Sequence, residues 1–163
     1  MRKRLLFFLL PSLWGTLGLA SLDLGVATSS ATSGRMIPAL SAGLLMDTWR
    51  MTFLSTGVQT PIYSHSAYRV LFLKNWQAGS FLWGTVSTGF GAGVAYSCRL
   101  MVDDLVTTTK KEDYLAGPAW NMAWHFAGPL FFNIEALFGL RQPANHLLLS
   151  FQDFVSLSFG IRL

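Results

Sequence analysis

The stretch Val155-Ser156-Leu157-Ser158-Phe159-Gly160-Ile161-Arg162-Leu163 decides the fold. Every second residue is apolar, and those between are small or polar. Side chains of a β-strand alternate between its two faces, so this segment presents one wholly apolar face and one small or polar face. A chain end is usually frayed, and a strand pattern carried to the last residue calls for a partner strand and an apolar surround.

The same parity recurs upstream. From Val86 to Tyr96 the even positions are Val86, Thr88, Phe90, Ala92, Val94 and Tyr96, whereas the odd ones are Ser87, Gly89, Gly91, Gly93 and Ala95. Trp120, Met122, Trp124 and Phe126 alternate with Asn121, Ala123 and His125. Leu130, Phe132, Ile134, Ala136, Phe138 and Leu140 alternate with Phe131, Asn133, Glu135, Leu137, Gly139 and Arg141. This dyad repeat is the pattern of strands with lipid on one side and an interior on the other.

The opposite end reads as an export signal. Arg2, Lys3 and Arg4 precede an apolar run that begins at Leu5–Leu10, and small residues Gly18 and Ala20 suit cleavage after Ala20. Residues 1–20 are therefore expected to be a signal peptide and 21–163 a single domain. Loss of the leader lowers 12 Lys+Arg to 9 against 8 Asp+Glu, so the net charge falls from +4 to +1. The sequence pI of 9.6 thus owes much to the leader, and no basic stripe is left to bind nucleic acid. A single cysteine, Cys98, precludes an intrachain disulfide.

Charged residues make up only 12% of the chain, aromatics 14%, and mean hydropathy is +0.42. That is too apolar for an ordinary exported globule, and a membrane solvent resolves the conflict. Only helices or a closed barrel satisfy the backbone within lipid. Residues 77–98 carry no charge and hold Gly89 and Gly93 at helix-pairing spacing, but residues 118–140 are broken by Gly128-Pro129 and by polar residues. The parity argues for strands. A soluble β-sandwich also alternates, yet it would not turn Trp, Met and Phe outward.

The expected fold is all-β: an antiparallel up-and-down transmembrane β-barrel of eight strands. The strands are expected near 21–30, 35–47, 49–58, 66–74, 78–99, 117–127, 129–141 and 147–163. Short turns are expected near 46–48, 74–77 and 127–129, and longer loops near 29–34, 56–66, 100–116 and 141–146. Trp49, Trp76, Trp120 and Trp124 then fall near strand ends, where aromatic girdles form.

The chain resembles the small eight-stranded outer-membrane barrels of bacteria, of the OmpA-transmembrane or OmpX type, over about residues 21–163. The resemblance is architectural and carries no subfamily motif. It implies residence in the outer membrane, contact with outer-membrane lipids and lipopolysaccharide, and a monomer. Val155, Leu157, Phe159, Ile161 and Leu163 resemble the C-terminal signal by which the outer-membrane assembly machinery recognises such barrels. That signal commonly ends in Phe or Tyr, where this chain has Leu163.

Eight strands leave an interior that side chains fill, which argues against a general porin. Arg50, Arg69, Arg99, His125, Asn133, Glu135, Arg141 and Arg162 are expected to line it as a paired or hydrated network. Glu135, the acidic residue in the middle of a well-patterned strand, is expected to pair with Arg99 or Arg141. The network either fixes the barrel or gates a narrow ion path.

No motif for a cofactor or metal is present; His125 and Glu135 lack the further ligands a zinc site needs. A lipid A-modifying enzyme is the alternative class, with His65 beside Ser64 or Ser66, or His146 with Ser150, and Asp103 or Asp104 as the orienting acid. The third outer loop concentrates charge in Asp103, Asp104, Lys110, Lys111, Glu112 and Asp113. These residues either hydrate the mouth or contact head groups, cations or a protein. The role expected is a structural or surface-interaction protein of the bacterial envelope.

Overall fold

A computed structural model describes residues 20–30, 36–61, 63–104, 107–143 and 150–163. The side chains of Ala20, of 102–108 and of 140–153 are not described. The expected leader lies outside these residues except Ala20, the first residue of β1.

Eight antiparallel strands close into a barrel in chain order. They are β1 (Ala20–Ser29), β2 (Ile37–Met46), β3 (Trp49–Gln59), β4 (Tyr63–Phe81), β5 (Gly84–Asp104), β6 (Thr107–Phe126), β7 (Leu130–Pro143) and β8 (Ser150–Arg162). The start of β1, the C-terminal Leu163 and the turns at Asp47-Thr48, Leu82-Trp83 and Ala127–Pro129 share one end, called here the terminus end. A row of paired residues starting at Leu24 passes through Ala42, Phe53, Val70, Val94, Ala116 and Leu140 to Phe151. Leu24 itself pairs with Ile161, ten residues further along β8. That stagger tilts the strands by about 40°, and it brings together side chains that no strand-by-strand reading would align.

The dyad pattern sorts the faces. Val26, Leu40, Phe53, Phe72, Phe90 and Phe159 are exposed on the outside, whereas Asn121, Asn133, Glu135, Ser156 and Ser158 are buried inside. Two aromatic belts bound the outer apolar band. Near the terminus end Trp49 stacks on Phe72 at 4.9 Å and Trp76 on Phe90 at 5.7 Å. Lys74 lies 5.9 Å above the Trp49 ring, a basic residue placed where head groups would lie. Toward the loop end Tyr68, Tyr96 and Tyr114 are direct cross-strand neighbours. Tyr68 and Trp76 lie eight residues apart on β4, roughly 26 Å along the strand and about 20 Å along the barrel axis at this tilt. That span is a little shorter than the apolar band of about 25 Å usual for transmembrane barrels.

Two expected connections fall elsewhere. The short turn placed at 74–77 does not exist: β4 runs on to Phe81, and the chain reverses at Leu82-Trp83. A bulge between Gln77 and Gly79 shifts the alternation by one residue there, so parity loses phase and the uncharged polar run imitates a turn. The long loop placed at 100–116 is mostly hairpin, because β5 reaches Asp104 and β6 begins at Thr107. Likewise β3 reaches Gln59 and β4 begins at Tyr63, which shortens the second outer loop.

The Leu82-Trp83 turn is unusual in composition. Both residues have positive φ, 43° and 56°, the backbone of a type I′ turn, where Asn-Gly is the favoured pair. A bulky L-residue in that conformation costs about 1–2 kcal/mol.

Candidate functional site

Among the described residues the interior contains two charged networks, a further ion pair near the loop-end mouth and an apolar plug. At the terminus end Asp23 of β1 is buried between two arginines. Arg162 of β8, its cross-strand partner, donates from Nε and Nη2 at 2.8 and 3.0 Å, and Arg50 of β3 lies 3.1 Å away through Nη2. Arg162 Nη2 also lies 3.2 Å from His125 Nε2. A guanidinium only donates, so His125 accepts there. One carboxylate therefore serves two guanidinium groups, and the cluster keeps a net positive charge.

The second network joins β4, β7 and β8. Arg69 pairs with Glu135, donates to Ser156 Oγ at 2.8 Å, and lies 5.1 Å from the centroid of the Phe154 ring. Asn133 donates to the other Glu135 oxygen at 2.6 Å. The expectation that Glu135 pairs with Arg99 or Arg141 is corrected for Arg99: among the described side chains the partner of Glu135 is Arg69. The stagger lets a β4 side chain reach β7 across the interior. Arg99 is instead held near the loop-end mouth, where it donates to Asp113 at 3.2 Å. The side chain of Arg141 is not among those described. Between the two networks lies a cavity of about 10 Å³, lined by Asp23, Arg50, Thr52, Asn133, Glu135 and Ser158 among others. That is scarcely the room one water needs.

The plug was not legible in the sequence. Leu54, Leu71, Leu115, Leu137 and Phe154 are buried together with Ala67, Ala95 and Ala119. Gly93 makes room for them: a Cβ there would come within 2.3 Å of a Leu71 methyl and 3.3 Å of one on Leu137. Parity marked Leu137 as inward but gave no sign that leucines from four strands would meet there with Phe154.

At the loop end the charged positions divide. Lys110 and Lys111 are exposed on β6, but Asp113, grouped with them as a surface contact, is buried inside and serves Arg99. Strand pairing explains the correction, since alternation sends residue 113 inward. Asp103 and Asp104 fall on β5 with side chains not described. Outside, Glu112 accepts from Tyr96 Oη at 2.8 Å and from Lys110 Nζ at 2.7 Å. Beyond the tyrosine belt, Lys110 first and then Tyr96 hold the Glu112 carboxyl below its ordinary pKa. His65 is buried, and Ser64 and Ser66 occupy the opposite face, so β4 brings neither hydroxyl to the ring. His146 lies outside the described residues, and the side chain of Ser150 is not described.

On β8, Ser156 and Ser158 are buried inside, while Phe159, Ile161 and Leu163 are exposed outside. A closed barrel with an apolar exterior between two aromatic belts defines the class: a small eight-stranded barrel of the outer-membrane type.

Among solved structures the chain is similar to the crystal structure of Neisserial surface protein A (NspA), with 12% identity over 88% of this chain and 94% of that one, and a TM-score of 0.49. It is also similar to the crystal structure of Ail, the attachment invasion locus protein of Yersinia pestis, with 8% identity over 88% and 96% of the two chains and a TM-score of 0.45. No family model and no curated protein matches the sequence.

Proposed function

We propose that this chain is an integral protein of the bacterial outer membrane that serves a structural or surface-interaction role, with an interior that does not conduct. The observation that carries this reading is the pairing of an apolar, aromatic-bounded exterior with a filled interior. Leu54, Leu71, Leu115, Leu137 and Phe154 occupy the space a pore would need, and the Arg69–Glu135 pair lies beside them. Opening an ion path would require dry leucines to separate as well as an ion pair to break, which disfavours a gate.

The part offered to the outside is the β5–β6 hairpin. It continues from the Tyr96–Tyr114 pair to Asp104 and Thr107, and it carries Lys110, Lys111 and Glu112 on exposed or half-exposed positions. Mixed charge and hydroxyls at this height suit contact with lipopolysaccharide head groups. The exported chain reaches the membrane after cleavage near Ala20, with the β8 apolar face read by the assembly machinery, and acts as a monomer.

Heat-modifiability on gels and fractionation test the placement: a folded band that shifts on boiling, found in the outer-membrane fraction, is expected. Planar-bilayer recording tests the interior, and no discrete channel openings are expected. Release in the soluble fraction would defeat the first part, and steady unitary conductance the second.

A further inference from the structure

The β4–β5 hairpin at the terminus end is charge-free and ends in Phe81-Leu82-Trp83, all exposed, with Trp83 87% accessible. Phe81 packs on Trp124 at 5.5 Å, and Trp124 stacks on Phe126 at 4.8 Å, so the tip continues the aromatic belt of the lipid-facing wall. Trp83 O accepts the Ala127 N–H at 2.7 Å, which holds the tip against the β6–β7 turn. An open cleft of about 520 Å³ lies between them, lined by Phe81, Leu82, Trp83, His125 and Phe126 among others.

Two large apolar residues occupy a left-handed turn that small polar residues would fill with less strain. Both side chains are exposed, which points their use outward rather than into the barrel. Two occupants could cover them: a partner strand or a lipid surface. Past Asn75 the β4 edge has no partner on the β3 side among the described residues. However, the Gln77/Gly79 bulge twists that edge out of register for strand addition. The aromatic continuity and the absence of charge favour lipid.

We propose that the Phe81-Leu82-Trp83 tip is a membrane-interface anchor that seats against the phospholipid head groups of the leaflet at the terminus end, fixing the depth and tilt of the barrel. This rests on the membrane reading above, and the test separates the two. Mature protein and its Trp83→Phe variant are refolded into phosphatidylcholine vesicles brominated either near the head group or near the chain ends. The emission assigned to Trp83 by difference is expected to be quenched strongly by the shallow bromine and weakly by the deep one. Unquenched Trp83 beside quenched tryptophans elsewhere overturns the anchor and leaves the barrel in its membrane. No quenching of any tryptophan overturns the membrane reading itself. Trp83 protected in native membranes but not in pure lipid assigns the tip to a protein partner and also overturns the anchor. A second variant, Leu82→Asn with Trp83→Gly, relaxes the turn and is expected to keep the heat-shifted band while entering preformed vesicles more slowly. Entry at the wild-type rate or faster overturns the proposal.

Discussion

The charged networks and the leucine plug share one interior, yet they stabilise it by opposite means. The plug removes apolar surface from water, makes no geometric demand beyond volume, and tolerates repacking. The networks gain little net energy from burying charge but impose a heavy penalty on any change that leaves one partner alone. Together they make a barrel whose interior is both filled and specific in register.

The sharpest way to break the comparison is to orphan a charge. Arg69→Ala leaves Glu135 buried without its cation and is expected to destabilise the folded barrel by about 3–5 kcal/mol, read as a lower urea midpoint in vesicles. Replacing both partners, Arg69→Met with Glu135→Leu, is expected to restore most of that loss; failure to do so would mean that the pair also directs assembly. Next in size is Leu137→Ala, expected to cost about 3 kcal/mol in the same assay while bilayer recordings stay silent. A channel opened by that single truncation would show that the plug is a gate rather than a filler. Asp23→Asn withdraws the carboxylate shared by Arg50 and Arg162 but keeps an acceptor oxygen, and is expected to cost about 3 kcal/mol, the low end for a broken buried pair. The smallest effect lies outside the interior. The Glu112 carboxylate is stabilised by Lys110 and Tyr96, so their contact should persist at neutral pH and fail as pH falls through the depressed pKa of Glu112. A carboxyl titration followed by NMR in micelles should show a midpoint below that of an unpaired glutamate.

How much of this could be read beforehand depended on solvent asymmetry. Strands in contact with lipid declare themselves, because Phe90, Trp120, Ile134 and Phe159 must face out while Gly89, Asn121, Asn133 and Ser158 face in. The upper part of β6 has water on its outer side, so Lys110, Glu112 and Tyr114 differ little in polarity from Asp113, and the segment imitates a loop. At Gln77–Gly79 the bulge breaks the alternation itself. The Arg69–Glu135 pair was hidden for another reason: strand order follows from the chain, but stagger does not, and the stagger determines which interior residues meet.

Asp23 and Arg162 are 139 residues apart in sequence and meet only where the last strand closes on the first. Until β8 docks, Asp23 has just one of its two guanidinium partners and β1 has an open edge. Closure therefore gathers contacts of great sequence separation along one seam. The pair is in this sense a latch on the seam, made only in the arrangement in which the last strand lies against the first.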